Sequence, residues 1–387
     1  PEEELAGLVE RLGVRQVVFS YSDVSYAYVM HRAAIANAAG ADFVLLGPRA
    51  TMLESPKPVV AVCAVRTGAG KSQTSRRIVQ LLRQAGLRVA VVRHPMPYGN
   101  LSAQRVQRFA TVADLKRQHC TIEEMEEYEP HLDNGSVVYA GVDYADILER
   151  AAPDADVILW DGGNNDLPFY RPRLHVVVAD PLRLGNELTY HPGEANLRMA
   201  DVVVINKVDT ADLAATEELR NHVRGANPDA LIVEAASPVM ADGAEQITGR
   251  RVLVLEDGPT LTHGEMRFGA GTVLARKFGA GEIIDPHPFA IGSIAATYTT
   301  YPGIGRLLPA MGYGDEQIRE LEATIAQVPC DVVIVGTPID LSRLVKIDKP
   351  VVRARYELQE IGRPDLSDAV TPLLKEIARE TRVPAAR

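Results

Sequence analysis

Residues 61–82, AVCAVRTGAGKSQTSRRIVQLL, pass from an apolar run through two glycines, a lysine and a serine into helical spacing. The pattern G-x-x-x-x-G-K-[ST] belongs to a phosphate-binding loop; here Val65 replaces the first glycine, while Gly68, Ala69, Gly70, Lys71 and Ser72 keep the rest. Such glycines let the amides from Thr67 to Ser72 converge on phosphate oxygens. The helix that follows, with Gln73 in its first turn, adds the positive end of its dipole. Lys71 is suited to neutralise β- and γ-phosphates, and the Ser72 hydroxyl to ligate Mg²⁺. Asp161 closes the apolar run DVILW and opens DGGNND, the setting of a carboxylate that acts on Mg²⁺ through water. Asn206, Lys207 and Asp209 lie in NKVD at the end of another apolar run and match a guanine-reading pattern. ATP or GTP with Mg²⁺ is therefore the expected cofactor.

Charge is spread unevenly around these motifs. The 387 residues carry a net charge of −10, which argues against general nucleic-acid affinity. Between Arg66 and Arg117, however, eleven Lys or Arg accompany one acid, Asp114, and TIEEMEEYE directly afterwards holds five glutamates. Two readings fit: solvated helix faces, or a basic surround for an anionic ligand. Arg93 and His94 leave a parallel strand at the edge where α/β ligands bind, and Arg76 lies one turn into the loop helix. Arg171 and Arg173 follow DGGNNDLPFY and could fork onto a phosphate. His191 and Glu194 in HPGE, with His263 and Glu265 in THGEMRFGAG, are either loop groups for metal or proton handling or plain surface residues.

Positioning these groups falls to alternating helix and strand patterns. PEEELAGLVERLG and VSYAYVMHRAAIANAAGA read as helices, RQVVFSY and DFVLLG as strands, which together predict a parallel sheet with right-handed crossovers. SPKP at 55–58 reads as a linker. Beyond it, VVAVCAV, RVAVVR, DVILWDGG, LHVVVAD, DVVVINKVD and LIVEAAS read as strands buried on both faces. Material between Arg93 and about residue 119 is expected to be helical, and Ile78, Leu81, Leu82 and Ala85 to share a face of the loop helix. A third section starts at RVLVLEDG. It holds eleven of the thirty glycines between Gly258 and Gly314, a density that suits loops approaching a ligand closely or moving. The expected fold class is α/β, in three parts: a Rossmann-like region at 1–57, a parallel-sheet nucleotide domain at 58–250, and a Gly-rich α/β section at 251–387. The first of these is expected to be truncated, since the chain opens on a helix without an initiator methionine. No run of about 18 apolar residues and no signal-peptide pattern occurs. Cys63, Cys120 and Cys330 are isolated, so a reducing cytoplasm without disulfides is expected.

The stretch RTGAGKS resembles the deviant loops K-G-G-x-G-K-[ST] of the P-loop proteins that include the nitrogenase iron protein, dethiobiotin synthetase and nickel-insertion GTPases. In some of these the early lysine reaches a nucleotide across a dimer interface. The resemblance implies a homodimer and offers Arg66 that role, or a substrate contact within its own chain. More widely, VVAVCAVRTGAGKSQTSR, VVRHPMPYG, LWDGGNND, VADPLRLGNE, YHPGEANLRMAD, INKVD and EDGPTLTHGEMRFGAG resemble the cyclic 2,3-diphosphoglycerate synthetase family, over nearly the whole chain. That resemblance implies an ATP-dependent ligase closing an intramolecular phosphoanhydride in 2,3-diphosphoglycerate. It also implies a further N-terminal stretch. Lys71, Asp161, Arg66, Arg93 and His94 would then be catalytic, and Arg76, Arg93, His94, Arg171 and Arg173 would bind the anionic substrate. NKVD equally suits a GTPase acting as a regulatory or metal-delivery factor, and the same fold suits a small-molecule kinase.

Overall fold

The computed structural model describes residues 2–94, 101–102, 104–163, 166–262, 267–311, 314–339, 341 and 344–382. Among them, nine strands form one sheet in the order Gln359–Glu360, Leu231–Ala236, Val202–Ile205, Leu174–Ala179, Val59–Ala64, Val157–Asp161, Val89–Arg93, Val137–Ala140 and Gln107–Phe109. The seven inner strands are parallel, and the strand at each edge is antiparallel. Val59–Ala64 is buried at every residue. It sits mid-sheet with helices on both faces, which is why its sequence is apolar throughout rather than alternating.

Helix Lys71–Gln84 covers one face, with Ile78, Val79 and Leu82 buried. Leu81 is only partly covered and Ala85 is exposed, because the helix has ended there and Ala85 is its cap. The stretch expected to be helical before residue 119 instead contains the edge strand Gln107–Phe109 and a short helix, Val112–Arg117. A capping box at Thr111 and Asp114 sets where that helix starts.

Residues before the linker make a small unit: parallel strands Gln16–Phe19 and Asp42–Leu45, with helix Tyr26–Ala38 between them in sequence. A two-residue strand, Val24–Ser25, pairs with Tyr190–His191 and so fastens this unit to the nucleotide domain. The third section has its own parallel sheet, with Arg251–Asp257 beside Val332–Gly336 and Val351–Arg353 at one edge. The chain then returns. Gln359–Glu360 joins the nine-stranded sheet, and helix Leu366–Arg382 packs on the phosphate-loop helix.

One contact accounts for the valine in the loop. Helix Gly193–Met199 begins where a Cβ on Gly193 would lie 2.3 Å from the Val65 carbonyl oxygen. Close approach to the start of the loop is therefore secured by a glycine on the facing segment rather than in the loop. Gly193→Ala is expected to destabilise the protein by about 1–3 kcal/mol and to weaken nucleotide binding. Denaturant unfolding and nucleotide titration check this, and an unchanged midpoint would show that the loop has room to spare.

Candidate active site

The loop between Val65 and Lys71 is held from outside by its carbonyls. Arg183 donates to the Thr67 oxygen at 2.9 Å, Lys207 to Gly68 at 2.7 Å, and Asn206 to Ala69 at 2.9 Å. Three successive carbonyls are thus held from outside, and the Ala69 N–H turns back onto the Arg66 carbonyl at 3.3 Å, which fixes the curvature that a phosphate-binding loop needs. Gly68 and Gly70 have φ of 85° and 111°, and a Cβ on Gly70 would fall 2.0 Å from the Asn206 amide nitrogen. Asn206 and Lys207 thus brace the loop, and Lys207 also reaches Asp180 at 2.6 Å. Asp209 accepts from the Ser237 backbone amide at 3.0 Å. Gln73 exchanges hydrogen bonds with the Ser237 hydroxyl at 2.9 and 3.0 Å. NKVD, the loop and Ser237 are one connected unit.

Asp161 lies at the neighbouring strand end, fully buried. Its Oδ1 takes Lys71 at 2.5 Å and Ser75 at 2.9 Å; its Oδ2 takes Arg93 at 2.6 Å and His131 at 2.9 Å. Burial alone would raise this carboxyl, but Arg93, Lys71 and His131 outweigh burial and hold it well below the usual carboxylate range. Burial holds His131 below its ordinary value, against the pull of Asp161, so at neutral pH the imidazole is uncharged. Arg93 is itself buried and also pairs with Glu127. Its guanidinium is therefore engaged by two carboxylates in the interior. Ser72, by contrast, is exposed and open to a metal carried by nucleotide.

His94 is placed differently. It lines a cavity of about 420 Å³ together with Ser20, Tyr21, Ser22, Tyr28 and Asp166. Its Nδ1 shares a hydrogen bond with the Tyr144 hydroxyl at 2.6 Å and stands 3.8 Å from Asp166. Burial pushes the Asp166 carboxyl up, against the opposing effect of His94 and a hydrogen bond from Ser22. One wall of this cavity comes from the N-terminal unit, and Arg66 fixes that unit to the loop. Its guanidinium is buried, lies 3.1 Å from Asp23 and stacks over the Tyr190 ring at 3.7 Å. Within its own chain Arg66 is thus held by Asp23 and Tyr190.

Two expected substrate arginines are elsewhere. Arg171 pairs with Glu54 beside the linker, and Arg173 clamps Glu376 and Glu380 of the C-terminal helix. Arg76 leans toward Tyr356 of the third section. His191 packs against Phe19, and Glu194 pairs with Arg198 on its own helix. His263 and Glu265 lie outside the described residues.

The glutamate-rich segment is not a solvated face. In helix Ile122–Asp133, Glu123, Glu124, Glu126 and Glu129 are all buried. Glu124 closes a capping box with Thr121. Glu127 and His131, one turn apart, reach the Arg93–Asp161 group from one side; that i, i+4 spacing is the signal the sequence carried for them. Glu126 bonds Asp257 of the third section, and burial followed by that second carboxylate pushes it well above its ordinary value of 4.5. A carboxyl raised in the fold stabilises fully below 4.5 and loses that contribution as pH climbs through its folded value. Glu126→Gln is accordingly expected to stabilise the protein relative to wild type increasingly from pH 5 to 8. Thermal melting across that range checks it; parallel curves would refute the shared-proton pair.

No protein-family model matches the chain. In sequence it is 58% identical over 369 residues to the arginine synthetase ArcE of Thermococcus kodakarensis, covering 95% of this chain and 82% of that one. In structure it is similar to LpxK of Aquifex aeolicus, solved with ATP, at a TM-score of 0.53 and 13% identity, covering 90% of this chain and 97% of that one. A weaker likeness, TM-score 0.31 and 18% identity, is to the hydrogenase maturation factor HypB of Archaeoglobus fulgidus, covering 49% and 83%. Among the described residues no helix is long and apolar enough to cross a membrane. The α/β fold is that of the P-loop NTPases, and the chain belongs to the family of the arginine synthetase ArcE.

Proposed function

We propose that this enzyme is a nucleoside-triphosphate-dependent ligase whose product is arginine. A ligase ending at a guanidinium makes a carbon–nitrogen bond, and the triphosphate's part is to turn an oxygen on that carbon into a phosphate leaving group. The γ-phosphoryl passes to the oxygen, a nitrogen nucleophile attacks the carbon and loses a proton, and phosphate departs. Positioning and charge neutralisation carry such a transfer, with Lys71 moving from Asp161 to the phosphates. Asp166, a nearly buried carboxyl raised by that burial, stands where the proton from nitrogen needs an acceptor, beside His94.

The observation that carries this reading over a bisphosphate substrate is the lining of the inner cavity. Among the described residues it is lined by Asp166, His94 and hydroxyls from Ser20, Tyr21, Ser22 and Tyr28, and by no lysine or arginine. A molecule with two phosphates would meet a carboxylate there with only His94 and the neighbouring Lys71 to offset it, whereas a guanidinium or ureido group finds acceptors. The cyclising 2,3-diphosphoglycerate ligase remains the second reading, favoured by the motif set quoted above and by the same activation step.

Mg²⁺ would enter on the nucleotide. Among the described residues no group of three or more His, Cys, Asp and Glu could hold a metal, while the exposed Ser72 hydroxyl fits as its ligand. Asp161 has both oxygens occupied, so it would act on the ion through water. The triphosphate is ATP or GTP; Asp209, oriented by the Ser237 amide, supports guanine.

Run in reverse, the enzyme is expected to form ATP or GTP from the diphosphate and phosphate only when arginine is present, and Lys71→Ala to lose at least a hundredfold of that rate. A coupled luminescence or chromatographic assay reads the product. Formation of a cyclic phosphoanhydride from 2,3-diphosphoglycerate, with no arginine dependence, would replace this reading with the second one. Asp209→Ala is expected to erase any preference for guanine over adenine nucleotide in the same assay.

A further inference from the structure

Tyr144 and Phe169 stack face to face, with ring centroids 4.4 Å apart and 16° between planes. Phe169 lines the inner cavity on one side and a second, outer cavity of about 800 Å³ on the other. Tyr144 joins the two as well: its ring lines the outer cavity, and its hydroxyl bonds His94 in the inner one. The outer cavity opens at the carboxyl ends of the same parallel strands, where Val137–Ala140 leads through Val142 and Asp143 into helix Tyr144–Ala151.

Its walls combine an apolar strip with one pair of opposite charges. Leu53, Leu101 and the two aromatic rings supply the first; Arg105 and Asp143 supply the second. Arg105 lies 3.1 Å from Asp143 and 3.3 Å from Asp146, and its side chain and that of Asp143 are both substantially exposed. The strand exit is shaped to bring them there. Gly141 has φ of 153°, and a Cβ on it would fall 2.4 Å from the Arg105 carbonyl oxygen. That oxygen also accepts from the Asp143 amide at 3.2 Å. The guanidinium and the carboxylate are thus presented side by side by a backbone that no larger residue at 141 would allow.

A mutually satisfied pair on an open wall is matched by a ligand carrying both charges on one carbon. The geometry points to the outer cavity as a subsite for the α-amino-acid end of the substrate, with Arg105 taking the α-carboxylate and Asp143 the α-ammonium. The ligand's methylene chain crosses the Tyr144–Phe169 strip, and its nitrogen-rich end lies in the inner cavity beside Asp166 and the phosphate loop. This rests on the arginine reading of the function. A bisphosphate has no ammonium to offer Asp143, and a simple amine has no carboxylate for Arg105. Specificity of this kind comes from leaving a charged group unpaired when the wrong ligand binds.

The test compares arginine with two relatives in the reverse assay: agmatine, which lacks the carboxylate, and 5-guanidinovalerate, which lacks the α-amino group. Wild type is expected to prefer arginine over each by at least tenfold in kcat/KM. Arg105→Gln is expected to lower the arginine-to-agmatine ratio at least tenfold, and Asp143→Asn the arginine-to-guanidinovalerate ratio, each chiefly through KM. Both changes are at exposed side chains, and asparagine preserves the helix N-cap that Asp143 provides, so loss of fold is not the expected outcome. Arginine-dependent turnover with both ratios unchanged in the variants would overturn the subsite and leave the function standing. No arginine-dependent turnover in wild type would overturn both.

Discussion

Asp161 is a fully buried carboxylate, and its charge is tolerable there because two donors meet each of its oxygens. Removing such a charge from water costs several kcal/mol, which close and well-directed partners must offset. The partners come from three places: Lys71 and Ser75 from the loop helix, Arg93 from the neighbouring strand, and His131 from the glutamate-rich helix. Satisfying one side chain therefore fixes the relative positions of the phosphate loop, the sheet and the helix that covers it. It also sets up the working part of the site. In the proposed reaction Lys71 would leave for the phosphates, and Arg93 with His131 would keep Asp161 paired.

The same economy of contacts ties the remaining parts of the chain to the loop. Arg66 links it to Asp23 and hence to the N-terminal wall of the cavity that His94 and Asp166 line. Glu126 meets Asp257 across the boundary with the third section, and Arg77 meets Glu360 where the chain returns to the sheet. In each case an ionisable side chain with few exposed neighbours crosses between units, so loop geometry and inter-unit geometry are set together.

Much of the basic sequence stretch is spent on pairing within the chain. Of the arginines between Arg66 and Arg117, Arg66 and Arg93 neutralise interior carboxylates, Arg88 and Arg108 pair with Asp156 and Asp154 near the surface, and Arg105 stands opposite Asp143. Each of these five has an acid supplied from elsewhere in the chain, so part of the local excess of positive charge is offset once the chain is folded.

Sequence spacing determined the phosphate loop, the strand carrying Asp161 and the NKVD segment, because these are local: an apolar strand, a turn and a helix are written in consecutive residues. The parallel-sheet architecture was legible for the same reason, from runs buried on both faces. Tertiary structure alone decided where each arginine points, that four of the five clustered glutamates are buried, and that Arg171 pairs with Glu54 beside the linker and Arg173 with Glu376 and Glu380 of the C-terminal helix. A charge run in sequence records one partner of every pair, and the other partner arrives from a segment tens to hundreds of residues away. Asp23, Glu127, His131, Tyr144 and Asp166 acquire their roles only when the fold places them against Arg66, Arg93, Asp161 and His94, since the energy of an ionisable group is set by what surrounds it in space.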